Sequence, residues 1–160
     1  MTEDFFEERK NIYQVEESNE LAPKFGNDGL IAVVTTDFET GELLMQGYMN
    51  KEALAKTIKL GEAVYYSRSR KNLWHKGEIS GLIQIIKEIR IDDDQDCVWL
   101  RVNVKGGSSC DVGYRSCFYR SVPFGDKLQN NKKVKLEFKE TVKVFDPKKV
   151  YSKLPNPTKL

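Results

Sequence analysis

Four aspartates, Asp92, Asp93, Asp94 and Asp96, fall within five positions in the stretch IDDDQDC, and two cysteines, Cys110 and Cys117, follow in SSCDVGYRSCF. Like charges this close repel unless a cation or water separates them, and a hard divalent ion neutralises them most directly. Thiolates are softer ligands, so two metals of different character are expected in one pocket. Asp92, Asp94 and Asp96 recur at every second position, which on an extended strand projects their carboxylates from one face; a bend would let them converge. A solvated acidic hairpin end has the same composition. The pattern also opens a calcium-binding helix-loop-helix loop, but Cys97 stands where that loop requires glycine and no glutamate closes it, which excludes the motif.

Six residues, Gly113 among them, separate Cys110 from Cys117. Two thiolates at that spacing hold zinc only with ligands from elsewhere in the chain or from a partner chain; buried structural cysteines are the simpler alternative. Cys97 lies in an apolar, strand-like context and is expected in the core. A second cluster, SRSRKNLWHKGE, carries Ser67, Arg68, Ser69, Arg70, Lys71 and Lys76, with Arg115 further on, and these supply the donors and positive charge that phosphate requires. Tyr66 and Trp74 add flat apolar surface of the kind a nucleobase needs, so the cluster points to a phosphorylated aromatic ligand, although each residue alone reads as surface charge. His75, the single histidine, is a candidate general base or a plain surface group, and its solitude excludes a site needing several imidazoles from one chain.

The elements that must position these groups follow from periodicity. Residues 31–36 are β-branched and apolar, Glu39-Thr40-Gly41 is a turn and residues 43–48 are apolar again, which predicts a hairpin. Asn50 is a cap for the helix KEALAKTIKL, with Ala53, Leu54 and Ile58 on one face and Gly61 closing it, so one main amphipathic helix packs on a sheet. Residues 63–67 form a short strand and 68–72 turn the chain. Ile83, Ile85, Ile89 and Ile91 alternate on one face, as do Val98, Leu100, Val102 and Val104, so the acidic run is the end of a hairpin. Residues 118–122 read as a last core strand. A helix or loose arm is expected over residues 1–28, the main domain over 29–124, and a Lys-rich, partly ordered arm over 125–160.

At 160 residues, with 39% hydrophobic and 31% charged residues, the composition is that of one ordinary globular domain. No apolar run approaches a membrane span, and MTEDFFEERK lacks the basic start and apolar core of an export signal, so a cytoplasmic protein with reduced or metal-bound thiols is expected. A net charge of +2 is too small for general nucleic-acid binding and favours a small-molecule partner.

GELLMQGYMNKEAL, GEAVYYSRSRKNLWHKGEISG, IDDDQD and CDVGYRSCFYR occur in the order and spacing of the phosphoribosyl-AMP cyclohydrolases, enzymes of histidine biosynthesis that open the adenine ring of phosphoribosyl-AMP, and the resemblance runs from about Gly29 to Val122. It implies a β-rich α+β single domain in an intertwined homodimer, active sites at the subunit interface, and dependence on zinc and magnesium. Carried over, the alternate aspartates Asp92, Asp94 and Asp96 hold magnesium, and Cys110 and Cys117 are zinc thiolates. Two positions depart from the family pattern. Asp93 stands where the third zinc thiolate usually lies, and its harder oxygen binds zinc less tightly than sulfur. Asp111 stands where a histidine is common, which leaves the proton carrier between Asp111 and His75. The tail is too short for the pyrophosphohydrolase domain that many relatives carry, so a monofunctional chain is expected.

The implied chemistry is zinc-assisted attack of hydroxide on C6 of the purine followed by cleavage of the N1 to C6 bond, with magnesium and the basic segment (Ser67, Arg68, Ser69, Arg70, Trp74, Lys76, Arg115) holding the substrate. A zinc hydrolase or deaminase acting on another purine nucleotide is the enzymatic alternative, although the His-x-Glu and Cys-x-x-Cys signature of deaminases is absent. A metal-dependent nucleotide-binding protein without turnover is the other.

Overall fold

The computed structural model describes residues 4–129, 132–154 and 156–160. The hairpin expected from the β-branched run forms: β1 (Ile31–Asp37) and β2 (Leu43–Met49) pair antiparallel, with Ile31 opposite Met49. Its turn is held by Asp37, whose carboxylate accepts from the Thr40 backbone N–H at 2.8 Å. Asn50 then caps α2 (Lys51–Leu60) by accepting from Ala53 N–H at 2.8 Å, and Gly61, at φ 68, ends it in the left-handed region that glycine enters without strain. Ala53, Leu54 and Thr57 are the buried face of this helix.

The main sheet has the order β2-β1-β6-β5, where β5 is Gln84–Ile91 and β6 is Cys97–Val104. β6 runs parallel to β1 and antiparallel to β5. A separate hairpin, β3 (Val64–Ser67) with β4 (Asn72–His75), carries the basic segment on its turn. The core gathers Ile31, Val33, Leu54, Val98, Leu100 and Val102 with the inner face of β3. Among the described residues the other helices are short: α1 (Ile12–Glu17) and α3 (Pro147–Val150). The result is a mixed α+β, strand-rich domain, and no helix among the described residues is long and apolar enough to cross a membrane.

Two local expectations need correction, and the N-terminal arm gains an anchor. The alternation of β5 does not hold one face: the register shifts between Ile86 and Glu88, so Ile86, Ile89 and Ile91 pack on the core and Gln84 is fully buried. A bulge adds a residue to one strand and swaps the faces beyond it, and period-two counting does not register that. Residues 118–122 are not a core strand. Only β7 (Arg120–Ser121) pairs, with β8 (Glu137–Phe138), and Phe118 is 54% exposed. The chain turns off the sheet where Cys117 N–H donates to Leu44 O at 2.7 Å, and Tyr119 stacks on Tyr114 at 4.1 Å instead. The N-terminal arm, finally, is strapped down by Gln95. Its side chain accepts from Ala22 N–H at 2.8 Å and donates to Val15 O at 2.9 Å and Glu20 O at 3.2 Å.

Candidate active site

Residues 92–96 form a tight turn, not an extended strand, and Gln95 occupies the left-handed region at φ 56. The turn brings one carboxylate oxygen from each of Asp92, Asp94 and Asp96 within 4.8 Å of one another on an exposed surface. Burial works to raise the Asp92 carboxyl, but N–H bonds from Asp96 and Cys97 outweigh it and hold the group below the usual range. Asp96 is pushed up to about 6 by sharing protons with Asp92 and Asp94. Carboxylates that crowd enough to retain a proton are a donor set suited to a hard divalent cation. Asp93 is outside this trio and lines, with Asp92, a cavity of about 360 Å³ against Glu16, Asn19 and Glu20 of the N-terminal arm.

The cysteines lie elsewhere. Cys110 is buried and Cys117 exposed, and the Cys117 thiol donates to Ser109 O at 3.9 Å. The two side chains perturb each other: Cys117 holds the Cys110 thiol below its ordinary value, while Cys110 pushes Cys117 up. The loop that carries them is tied to the core by a chain of buried polar groups. Thr35 hydroxyl donates to Tyr65 Oη at 2.6 Å, Tyr65 donates to Gln84 Oε1 at 2.6 Å, and Gln84 Nε2 donates to Ser109 Oγ at 3.1 Å. Burial holds the Tyr65 phenol well above its ordinary value. Sequence reading missed Gln84 and Ser109 because a glutamine in an isoleucine-rich strand and a serine in a loop show no periodic signal.

Cys110 and Cys117 line a cavity of about 780 Å³ together with Arg70, Lys76 and Asp111. Lys76, 6% exposed in its side chain, donates to Asp111 Oδ1 at 3.1 Å. A smaller adjoining cavity of about 170 Å³ holds Ser67, Arg68 and Trp74 and shares Arg70, Lys76 and Asp111 with the larger one. Within it the Arg70 guanidinium stacks 4.3 Å over the Trp74 ring and Arg68 stacks 4.0 Å over Tyr48. Ser69 is 3.4 Å from Ser67 Oγ at the hairpin turn. Three of the residues expected to bind or turn over substrate lie outside both cavities: Ser69, Arg115, which pairs with Glu42 at 2.6 Å, and His75, whose Nε2 sits 3.5 Å from Glu62. The structure therefore gathers Ser67, Arg68, Arg70, Trp74, Lys76, Cys110, Asp111 and Cys117, and sets Ser69, Arg115 and His75 apart.

The acidic turn precedes β6 and the cysteine loop follows it, and no aspartate of the turn lines the cysteine cavity. Within this chain they form two sites, not the single pocket that sequence proximity suggested.

Comparison with known proteins shows what this chain is similar to. The family profile described as phosphoribosyl-AMP cyclohydrolase matches residues 45–119. A phosphoribosyl-AMP cyclohydrolase of Rhodopseudomonas palustris strain TIE-1 is 50% identical over 139 residues, covering 87% of this chain and 89% of the relative. The chain belongs to the phosphoribosyl-AMP cyclohydrolase family. A further relative of that name, from Nitrobacter winogradskyi, is 45% identical over 142 residues, 89% of this chain and 94% of its own length. This is a family of hydrolases that act on cyclic amidines, in histidine biosynthesis. The profile spans the acidic turn, the basic hairpin and both cysteines, and it ends before β7 and the C-terminal arm.

Proposed function

We propose that this chain opens the purine ring of 1-(5-phosphoribosyl)-AMP by hydrolysis of the N1 to C6 bond, giving the imidazole carboxamide nucleotide. The observation that carries the reading is the cavity in which Cys110, Cys117, Asp111 and Lys76 meet beside the Arg70–Trp74 stack, in a chain half identical to relatives of that name.

The donor sets fit two different metals. Three converging carboxylates suit magnesium, which Asp92, Asp94 and Asp96 would hold, and two thiols lining one cavity suit zinc, which Cys110 and Cys117 would hold with Asp93 of a second copy as the candidate third ligand. Zinc, when bound, supplies acidification of the attacking water. The remaining work falls to side chains. Arg70, Arg68 and Ser67 hold a phosphate and Trp74 offers the base a flat surface, so that binding energy aligns C6. Asp111, fixed by Lys76, accepts a proton from the water and returns it to N1; the water oxygen bonds to C6, the C6 to N1 bond breaks, and the remaining hydroxyl proton passes to the exocyclic nitrogen as the carboxamide forms. His75 and Arg115 support the walls of the site from their pairs with Glu62 and Glu42. Ser69 braces the turn that presents Arg70.

The separation of the acidic turn from the cysteine cavity supports a homodimer with shared sites, in which the acidic turn of one copy completes the cysteine cavity of the other. Residues 29–124 serve as the catalytic domain, with 1–28 and 125–160 as arms, in the cytoplasm, where thiols stay reduced. The test is ring opening of phosphoribosyl-AMP followed by absorbance with zinc and magnesium present. Ammonia release from adenine nucleotides without ring opening would assign the deaminase reading, and binding without turnover would assign the non-enzymatic one.

A further inference from the structure

One wall of the cysteine cavity is made by residues from 143–154 and 156–158, beyond the end of the family profile. We propose that this C-terminal arm is a working part of the substrate site, in which Lys143 and Lys148 receive a phosphate of the nucleotide and Tyr151 positions Asp111. The inference rests on the nucleotide reading above.

The arm is seated by specific contacts. Val144 N–H donates to Gly113 O at 2.7 Å. Gly113 sits at φ +110, and a Cβ there would lie 2.5 Å from the Phe145 carbonyl oxygen, so only glycine lets the arm backbone lie this close to the cysteine loop. Phe145 packs edge-on against Tyr151 with centroids 6.1 Å apart. Tyr151 Oη donates to Asp111 Oδ1 at 3.2 Å, the same oxygen that accepts from Lys76 at 3.1 Å. Burial raises the Tyr151 phenol, which keeps it a donor. Two donors from opposite walls, one on β4's flank and one on the arm, thus fix a single carboxylate beside Cys110.

Charge identifies the ligand. Arg70, Lys76, Lys143 and Lys148 line the cavity against the one carboxylate of Asp111, which Lys76 already engages. Among the described residues no carboxylate lies within ion-pair distance of Lys143 or Lys148. Arg70 Nε is buried without a partner. A concave surface with this excess of donors favours a dianion. The substrate has two phosphates, and the basic hairpin and the arm flank the cavity as two separate places for them.

The experiment uses the full-length chain, with a Lys143→Ala/Lys148→Ala double variant and a Tyr151→Phe variant. Binding of phosphoribosyl-AMP is measured by calorimetry in chelator, and turnover is measured with metals restored. The double variant is expected to weaken Kd and raise KM at least about tenfold with kcat within about twofold. Tyr151→Phe is expected to lower kcat about tenfold with Kd and the thermal midpoint unchanged, a split that a purely structural role would not produce. Unchanged Kd and KM in the double variant would overturn the proposal. So would higher turnover in either variant, since the arm would then be a plug. If the wild-type chain binds the nucleotide without opening it, the functional reading fails while the Kd comparison still decides the arm. If wild type does not bind it at all, both fail.

Discussion

The pair Lys76 and Asp111 makes an asymmetric prediction. Lys76 is 6% exposed in its side chain and Asp111 30%, with 3.1 Å between Nζ and Oδ1. Replacing Asp111 by Asn leaves an almost fully buried ammonium without its counter-charge. Breaking a buried pair this way costs about 3–5 kcal/mol, and partial access of water on the Asp111 side lowers the expectation to about 2–3 kcal/mol. Replacing Lys76 by Met keeps the apolar stem and removes the charge, while Asp111 retains the Tyr151 hydroxyl and its contact with water, so the expected cost is about 1 kcal/mol. Because neither partner is left stranded in the double variant, its cost should fall below the sum by at least about 1 kcal/mol. Urea unfolding of chelated protein reads all four corners of the cycle. In a domain this size each kcal/mol also moves Tm by about 2–4 °C. Costs that add within about 0.5 kcal/mol, or a Lys76→Met variant less stable than Asp111→Asn, would refute the reasoning, since both features follow from the difference in burial.

Cys117→Ser is expected to abolish both zinc content, measured by elemental analysis after purification without chelator, and ring opening; a variant with full activity would sink the thiolate assignment. Tyr65→Phe strands Gln84 Oε1 in the core and should cost about 1–3 kcal/mol in denaturant unfolding. Because the folded-state pKa of Tyr65 is raised above its unfolded value of about 10, its contribution is intact below pH 10 and is lost as pH rises through the folded value, by up to about 1.4 kcal/mol per unit. The difference in stability between Tyr65→Phe and wild type should therefore narrow between pH 9 and 11, and a constant difference would contradict the assignment. Gln95→Ala should release the N-terminal arm. Amide exchange at Ala22 and Lys24 is then expected to accelerate while β1 keeps its protection, which mass spectrometry of deuterated peptides would detect.

Much of the fold was legible because its signals are local. Asn50 and Gly61 mark the ends of α2 by capping chemistry, and the turn at residues 39–41 between two apolar runs marks the β1–β2 hairpin. The four motifs carried family membership, since each is a run of residue types at set spacing, and the relatives bear it out. The bulge in β5 was not legible, because Ile83, Ile85, Ile89 and Ile91 keep one alternation on paper, interrupted at Lys87 alone; the face swap comes from pairing with β6, which one strand's sequence does not contain.

From residue types alone came the list of chemical groups: carboxylates and thiols fit for metals, guanidinium and aromatic groups fit for a nucleotide. Where those groups stand relative to one another was decided by tertiary structure. Asp93 and Cys110 belong to successive motifs in the chain, yet β6 runs between them and they line different cavities. Lys76 and Asp111, 35 positions apart, meet at 3.1 Å because the β3–β4 hairpin and the loop after β6 enclose the same cavity. The Lys-rich tail read as an arm of low information, and only its docking on Gly113 brings Tyr151 to Asp111. Spacing along a chain reports geometry within one element; between elements, packing of the core sets the distances, and the chemistry follows them.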